Sequence, residues 1–408
     1  MDRAHFASLH TDLQQQGIDV EEVLQAMQAF TLETPSWGYG NSGTRFKVFP
    51  WPGAARTLVE KLEDAAVVHR VTGACPGVAI HLPWDQVDDW ASIQQHAARL
   101  GMRLGAVNPN LFQADAYRLG SLCHPDAAVR RQAIDHVLEC IRIAEQVHSA
   151  VISLWLADGT NYPGQDDFRR RRQRLLEALH EIYAALPAGM RLLLEYKFFE
   201  PAFYHTDLPD WGTSLLFCQK LGPQAQVLVD TGHHPQGTNL AQIVAQLLAE
   251  GRLGGFHFND RHYADDDLIV GSLHPFEVFT IFHEILAARA QGQAHAAEIA
   301  YMLDQSHTIE PKIEAMIQSI LHIQLAYAKA LLVDRQALAE AQEAGEVLGA
   351  YRVLRAAFET DVRPLLAEVH IRQGRDPDPI AAFRQSGYAE QVARERATVA
   401  VSSGYPGA

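Results

Sequence analysis

From about residue 75 onward, the chain alternates short apolar runs with longer amphipathic stretches. The runs are Val78-Ala79-Ile80-His81, Leu104-Gly105-Ala106-Val107 and Ala150-Val151-Ile152-Ser153-Leu154-Trp155. They continue with Arg191-Leu192-Leu193-Leu194-Glu195, Gln226-Val227-Leu228-Val229-Asp230, Gly254-Gly255-Phe256-His257-Phe258 and a last one around Ile299–Asp304. Runs of four to six apolar residues read as strands covered on both faces. Stretches such as Arg169–Leu186 and Leu240–Ala249 are long enough for crossover helices. With a weaker first run near Thr31–Trp37, eight βα units follow in order. That pattern predicts an α/β fold, a (β/α)8 TIM barrel, over residues 31–310. Residues 1–30 read as a leading helical segment. Residues 311–408 read as a C-terminal helical extension used in oligomer contacts, helical to about Gly374 and ending in a loosely attached tail of about 30 residues. An open doubly wound sheet is the structural alternative, but no glycine-rich phosphate loop accompanies it.

In a barrel of this kind the reactive groups gather where the strands end. Four successive runs finish on a potential metal ligand: Glu195, Asp230, His257 and Asp304. Three carboxylates and an imidazole form a hard, oxygen-rich set that suits Mn²⁺, Mg²⁺ or Co²⁺. After the seventh run, Asp265, Asp266 and Asp267 stand side by side, an arrangement that repels itself unless a cation offsets it. His233, Asp265 and Asp267 are therefore candidates for a second ion, with Asp230 bridging the two. Each residue also has a plainer reading. A strand-end carboxylate is often a helix cap or a surface ion-pair partner, and an acidic run is often a solvated turn. Lys197 shares a face with Glu195 by the strand period of two. His81 is either a core histidine or a polar substrate contact. Trp37, Phe112 and Trp155 are either core or an apolar wall for the C–H face of a sugar. The segment Ser36–Gly53, rich in glycine and aromatics, is a surface loop or a cover over a site.

Composition narrows the function classes. The chain has 408 residues, is 48% hydrophobic, and carries a formal net charge of −15, the wrong sign for a protein whose main partner is nucleic acid. No run of roughly 18 apolar residues occurs, so no membrane-spanning helix is expected. The four cysteines form no CxxC pair, and the N-terminus lacks the shape of a secretory signal. A cytoplasmic protein with free thiols is expected.

Several longer motifs resemble those of bacterial L-rhamnose isomerases of the broad-specificity type. They are Ser36-Trp37-Gly38 with Gly43-Thr44-Arg45-Phe46, His81-Leu82-Pro83-Trp84-Asp85, Glu200-Pro201-Ala202-Phe203-Tyr204, Val229–His234, Gly254–Asp260, Asp265–Leu268 and Asp304-Gln305-Ser306-His307. The likeness runs from about residue 8 to 397. It implies a barrel similar to that of xylose isomerase, two divalent ions per subunit (usually Mn²⁺) and a homotetramer. By the same resemblance Glu195, Asp230, His257 and Asp304 would hold one ion, and His233, Asp265 and Asp267, with Asp230 shared, the other. Lys197 would lie beside the reacting carbons, with Asp230 and Asp304 also in the catalytic set. His81 would contact the sugar or help open its ring, Ser306 would line the substrate site, and Phe46 would reach in from an adjacent subunit. The chain departs from the family around Tyr196, Phe198-Phe199 and Pro235-Gln236-Gly237, which bears on the sugar preferred.

The expected activity is a metal-dependent aldose–ketose isomerisation, L-rhamnose to L-rhamnulose, by a hydride shift between C1 and C2. Nearly every acid at the strand ends is already assigned as a ligand, which favours the hydride shift over an enediol route that needs a metal-free base. A ketose 3-epimerase on the same barrel is the alternative, and a metallo-phosphoesterase or a sugar-binding scaffold a more distant one.

Overall fold

The computed structural model describes residues 3–41, 49–200, 204–263, 265–305 and 309–396. Two helices, α1 (Arg3–Gln15) and α2 (Val20–Ala29), lead in, the second capped by Asp19. Eight parallel strands then close a barrel: β1 (Glu33–Pro35), β2 (Gly77–Leu82), β3 (Arg103–Pro109), β4 (Val151–Trp155), β5 (Arg191–Glu195), β6 (Ala225–Asp230), β7 (Leu253–Phe258) and β8 (Ala300–Leu303). Each pairs with its sequence neighbours, and β1 closes the ring against β8. The expected (β/α)8 barrel is therefore the observed architecture. β1 is shorter than the run Thr31–Trp37 because the chain turns at Ser36 into a 3₁₀ segment, Ser36–Tyr39. A short hairpin, Phe199–Glu200 with Tyr204–His205, follows β5 and was not foreseen.

The strands carry almost unbroken apolar residues because one side faces the barrel interior and the other the helical layer. Val78, Ile80, Leu192, Leu194, Val227, Val229, Phe256, Phe258 and Leu303 join the large outer core. Ala79, Ala106, Leu193, Leu228 and Met302 form the small core inside the barrel. Stepping two residues on from that inner layer places His81, Asn108, Glu195, Asp230 and Asp304 in the barrel mouth, and His257 on β7 reaches the same level. Register completes the placement: Asp230 pairs with His257, and His257 with Met302. At the opposite end the Glu33 carboxylate closes the floor, bonding Ala106 N at 2.8 Å. A Cβ on Gly105 would lie 2.2 Å from Glu33 Oε2, so glycine is required there.

Helix α3 (Leu58–Thr72) starts on Thr57, whose hydroxyl caps Glu60 N. After β8 the chain is helical from Lys312 to Arg396 in six helices. The expectation of a loosely attached tail over the last 30 residues is corrected as far as Arg396. Asp378 caps the helix Pro379–Gln385. In the helix Tyr388–Arg396, the four-residue spacing of Tyr388, Val392 and Arg396 turns one face inward. Tyr388 Oη donates to Asp64 Oδ1 at 2.8 Å, and the buried Arg396 guanidinium forks onto Asp64 at 2.8 and 3.0 Å. Among the described residues, no single helix is long and apolar enough to cross a membrane.

Candidate active site

The ends of β5, β6, β7 and the residue after β8 bring Glu195, Asp230, His257 and Asp304 together, one ligand atom of each within 4.8 Å of the others. His257 Nδ1 lies 3.2 Å from Glu195 Oε2 and 3.4 Å from Asp304 Oδ2 and completes a hydrogen bond with neither. Its Nε2 lies 3.4 Å from Ser153 Oγ, and we assign the proton to that nitrogen. In the neutral ring that a bound cation requires, the Nδ1 lone pair would point where the carboxylate oxygens converge. Separations of 3.2 and 3.4 Å are of the size shown by neighbouring ligands of a common divalent ion, roughly 3 Å.

A second group shares Asp230. Asp230, His233 and Asp265 also lie within 4.8 Å of one another. His233 Nε2 is 3.5 Å from Asp265 Oδ2 and 3.9 Å from Asp230 Oδ2, while Nδ1 is 3.2 Å from the Tyr196 carbonyl, which holds the ring in place. Asp230 is fully buried and oriented by Gly232 N at 2.7 Å and by Asn259 Nδ2 at 3.0 and 3.2 Å. Gly232 permits this packing, since a Cβ there would meet Asn259 Oδ1 at 2.5 Å. Asp267 stands outside the group, beside Asp265, with φ +50°. Asp266 has a different use: its carboxylate accepts from His262 N and from Tyr263 N, closing the acidic turn on itself.

The charges here lean strongly negative. Burial pushes Asp230 up to about 7, opposed by His233 and aided by the carboxylates of Glu195, Asp304 and Asp265. Burial and its acidic neighbours also drive Asp267 well above the usual carboxylate range. His233 would be lowered by burial, yet Asp230 and Asp265 lift it to about 9. His257 is likewise lifted far above its ordinary value, by Glu195 and Asp304 against burial. A site that draws protons this hard has the potential a divalent cation needs. With hard donors and ring orientations fixed from behind, these residues fit such an ion.

Lys197 Nζ is bound between Glu200 Oε2 (2.8 Å) and Asp265 Oδ2 (2.7 Å), and 5.1 Å from the centre of the Trp155 ring. The aromatic residues do assemble. His81 stacks on Trp84 at 3.8 Å and meets Trp37 and Phe112 edge-on, and Phe112 meets Trp155 at 4.8 Å. Trp37 is more than an apolar wall, because its Nε1 donates to Asp304 Oδ1 at 3.0 Å. Burial, with Lys61 and His136 nearby, holds His81 well below its ordinary pKa, and its Nδ1 is buried without a hydrogen bond. Phe46 and Ser306 lie outside the described residues. Sequence reasoning missed the supporting residues Ser153, Glu200 and Trp84. Asn259, which lies within the Gly254–Asp260 motif, proves to hold Asp230. Ser153 and Asn259 could have been found from the strand period, two residues before Trp155 and two after His257. Glu200 and Trp84 stood in the quoted motifs, but nothing local to either assigned it a partner in the site.

Comparison with known proteins places this geometry in context. Residues 70–285 match the family profile described as a xylose isomerase-like TIM barrel. A probable sugar isomerase of Rhizobium meliloti (strain 1021) is 45% identical over 404 residues, covering 98% of this chain and 94% of that protein. An L-rhamnose isomerase of Salmonella paratyphi B is 29% identical over 203 residues, covering 41% of this chain and 46% of that protein. Among solved structures, that of an L-ribulose 3-epimerase superposes with a TM-score of 0.54 at 13% identity, covering 78% of this chain and 98% of that one; it shares the fold.

Proposed function

The chain belongs to the xylose isomerase-like family of sugar isomerases and epimerases, and from that premise we propose that it is a metal-dependent aldose–ketose isomerase acting on L-rhamnose. The observation that carries the reading is the pair of carboxylate–imidazole groups sharing Asp230 in the barrel mouth, beside an aromatic wall. The choice of L-rhamnose rests on the motifs named above and on the partial likeness to an L-rhamnose isomerase. Glu195, Asp230, His257 and Asp304 would hold one ion; Asp230, His233 and Asp265, with Asp267 alongside, would hold the second. Mn²⁺ is the preferred ion, with Co²⁺ or Mg²⁺ able to replace it. The bound cations would supply Lewis acidity toward the two adjacent sugar oxygens at C1 and C2.

The protein's own groups do the rest. The rings of Phe112 and Trp155 pack against the C–H face of the sugar and exclude water. His81, neutral and with Nδ1 free of protein hydrogen bonds, accepts from or donates to a sugar hydroxyl. Lys197 presents a fixed positive charge next to the reacting carbons. The carboxylates at the described strand ends belong to the two ligand groups, and Glu200 is paired with Lys197. That leaves no carboxylate base near C1 or C2 and favours a direct hydride shift between them. A homotetramer in the cytoplasm, with Phe46 and Ser306 adding to the substrate site, completes the proposal. We divide the chain at residues 30 and 310, a division supported by barrel strands that begin at Glu33 and end at Leu303. The test is turnover of L-rhamnose in D₂O with Mn²⁺, followed by NMR of the product. Ketose without solvent deuterium at C1 or C2 agrees with the proposal. Deuterium at those positions refutes the hydride shift, and inversion at C3 of an added ketose, with no aldose–ketose exchange, refutes the reaction class.

A further inference from the structure

Helix α3 carries two buried charges one turn apart, Lys61 and Asp64, each 1% exposed. Asp64 faces the C-terminal helix, as described above. Lys61 reaches the other way, toward the barrel mouth, where its Nζ lies 2.5 Å from Asp85 Oδ1. Asp85 is buried too, and its second oxygen accepts from His81 N at 2.8 Å and from Ser36 Oγ. Asp85 N returns a bond to the His81 carbonyl at 2.8 Å. One carboxylate thus ties together three separate pieces: α3, the end of β2 with His81, and the turn after β1 with Ser36. The residue after Ser36 is Trp37, whose indole donates to Asp304 and whose ring meets His81 edge-on at 5.5 Å. Stability alone gives little reason for such a pair, since an apolar residue of similar volume would fill the space without desolvating an ammonium. The neighbouring buried positions of α3, among them Leu58, Leu62, Ala65 and Val68, are filled that way.

We propose that Lys61 is a positioning residue: its charge fixes the Asp85 carboxylate, which clamps the His81 strand end to the Ser36–Trp37 turn and so holds the His81 ring and the Trp37 indole in place at the site. The proposal rests on the isomerase reading for its kinetic consequence but not for its geometric one. Lys61 touches neither of the metal-ligand groups, and it acts about two bonded contacts away from them. Removing its charge loosens two side chains that must be held within a fraction of an ångström, which lowers the rate of the chemical step more than substrate binding.

The test uses the full-length protein loaded with Mn²⁺. Lys61→Met alone leaves Asp85 unpaired and can fail to fold, so Lys61→Met/Asp85→Asn, which removes both charges, and Ser36→Ala are made beside it. The double variant is expected to melt near the wild-type temperature, with kcat on L-rhamnose reduced about 10- to 100-fold and KM changed less than about threefold. The second readout needs no sugar. The chain has six tryptophans, so its ¹⁵N-indole spectrum is sparse, and the Trp37 signal is identified by its loss in Trp37→Phe. In both the double variant and Ser36→Ala that signal is expected to move and its N–H to exchange faster. Wild-type kcat in the double variant, or an unmoved Trp37 signal in both variants, overturns the proposal. If the wild-type protein leaves L-rhamnose unchanged, the isomerase reading has failed, and the indole signal still decides whether Lys61 positions the site.

Discussion

Trp37→Phe separates two roles that one side chain combines. Phenylalanine keeps an aromatic body against His81 but removes the Nε1–H that donates to Asp304 Oδ1 at 3.0 Å. A hydrogen bond to a charged acceptor contributes about 1.5–3 kcal/mol. The Asp304 side chain is 24% exposed, and water can replace part of the lost bond, so the lower end applies. About 1.5 kcal/mol corresponds to roughly a tenfold change in an equilibrium constant. Asp304 belongs to the group with Glu195, Asp230 and His257 and not to the group of Asp230, His233 and Asp265. In a calorimetric titration of EDTA-treated protein with Mn²⁺, one binding event is expected to weaken about tenfold and the other to change less than about twofold. Melting temperature should stay close to wild type, because the buried ring is retained. Two unaltered affinities with the fold intact would show that the indole does not orient Asp304, and the account of that ligand would be wrong.

Three other perturbations test separate parts of the structure. Gly232→Ala places a methyl 2.5 Å from Asn259 Oδ1; it should displace Asn259 from the shared Asp230 and weaken both Mn²⁺ binding events, as read by the same titration, about 10- to 100-fold. Arg396→Met strands the buried Asp64 carboxylate and should cost about 3–5 kcal/mol in urea unfolding, most of which returns in Asp64→Asn/Arg396→Met. His370 is fully buried, and burial lowers it from 6.5 to about 4. The folded state therefore binds fewer protons between those values. The stability this group contributes is complete above pH 6.5 and is lost as pH falls toward 4. Between pH 7 and 4.5 that loss is about 2–3 kcal/mol, so His370→Gln should flatten the acid limb of unfolding free energy by that order. An unchanged limb would show that His370 is not a buried neutral group.

The barrel was legible because its signal is repeated. Strands sheathed on both faces must be apolar along their whole length, and the runs at Val78, Leu192, Val227 and Phe256 say so eight times over with their companions. The ligand level was legible for the same reason. A period of two carries Leu193 to Glu195, Leu228 to Asp230 and Met302 to Asp304, whatever the loops do. Less could be read where a contact joins distant parts of the chain. Nothing local to Trp37 announces that its indole meets a carboxylate 267 positions away, and nothing local to Lys61 distinguishes a buried ammonium from a solvated one. Nothing local to Tyr388–Arg396 announces that the segment is held down. Arg396 is in fact buried, since Asp64 on α3 supplies the opposite charge. In the acidic triplet, Asp265 joins Asp230 and His233, Asp266 closes the turn, and Asp267, in left-handed backbone, stands beside Asp265.

The central claim is that this protein interconverts an aldose and a ketose only when divalent metal occupies the groups around Asp230. The most direct measurement strips the protein with EDTA, confirms metal loss by elemental analysis, and incubates it with L-rhamnose with and without added Mn²⁺. L-rhamnulose is expected only in the tube where metal is restored, and in neither tube for Asp230→Asn, which alters both groups at once. Equal turnover by the stripped protein would contradict it.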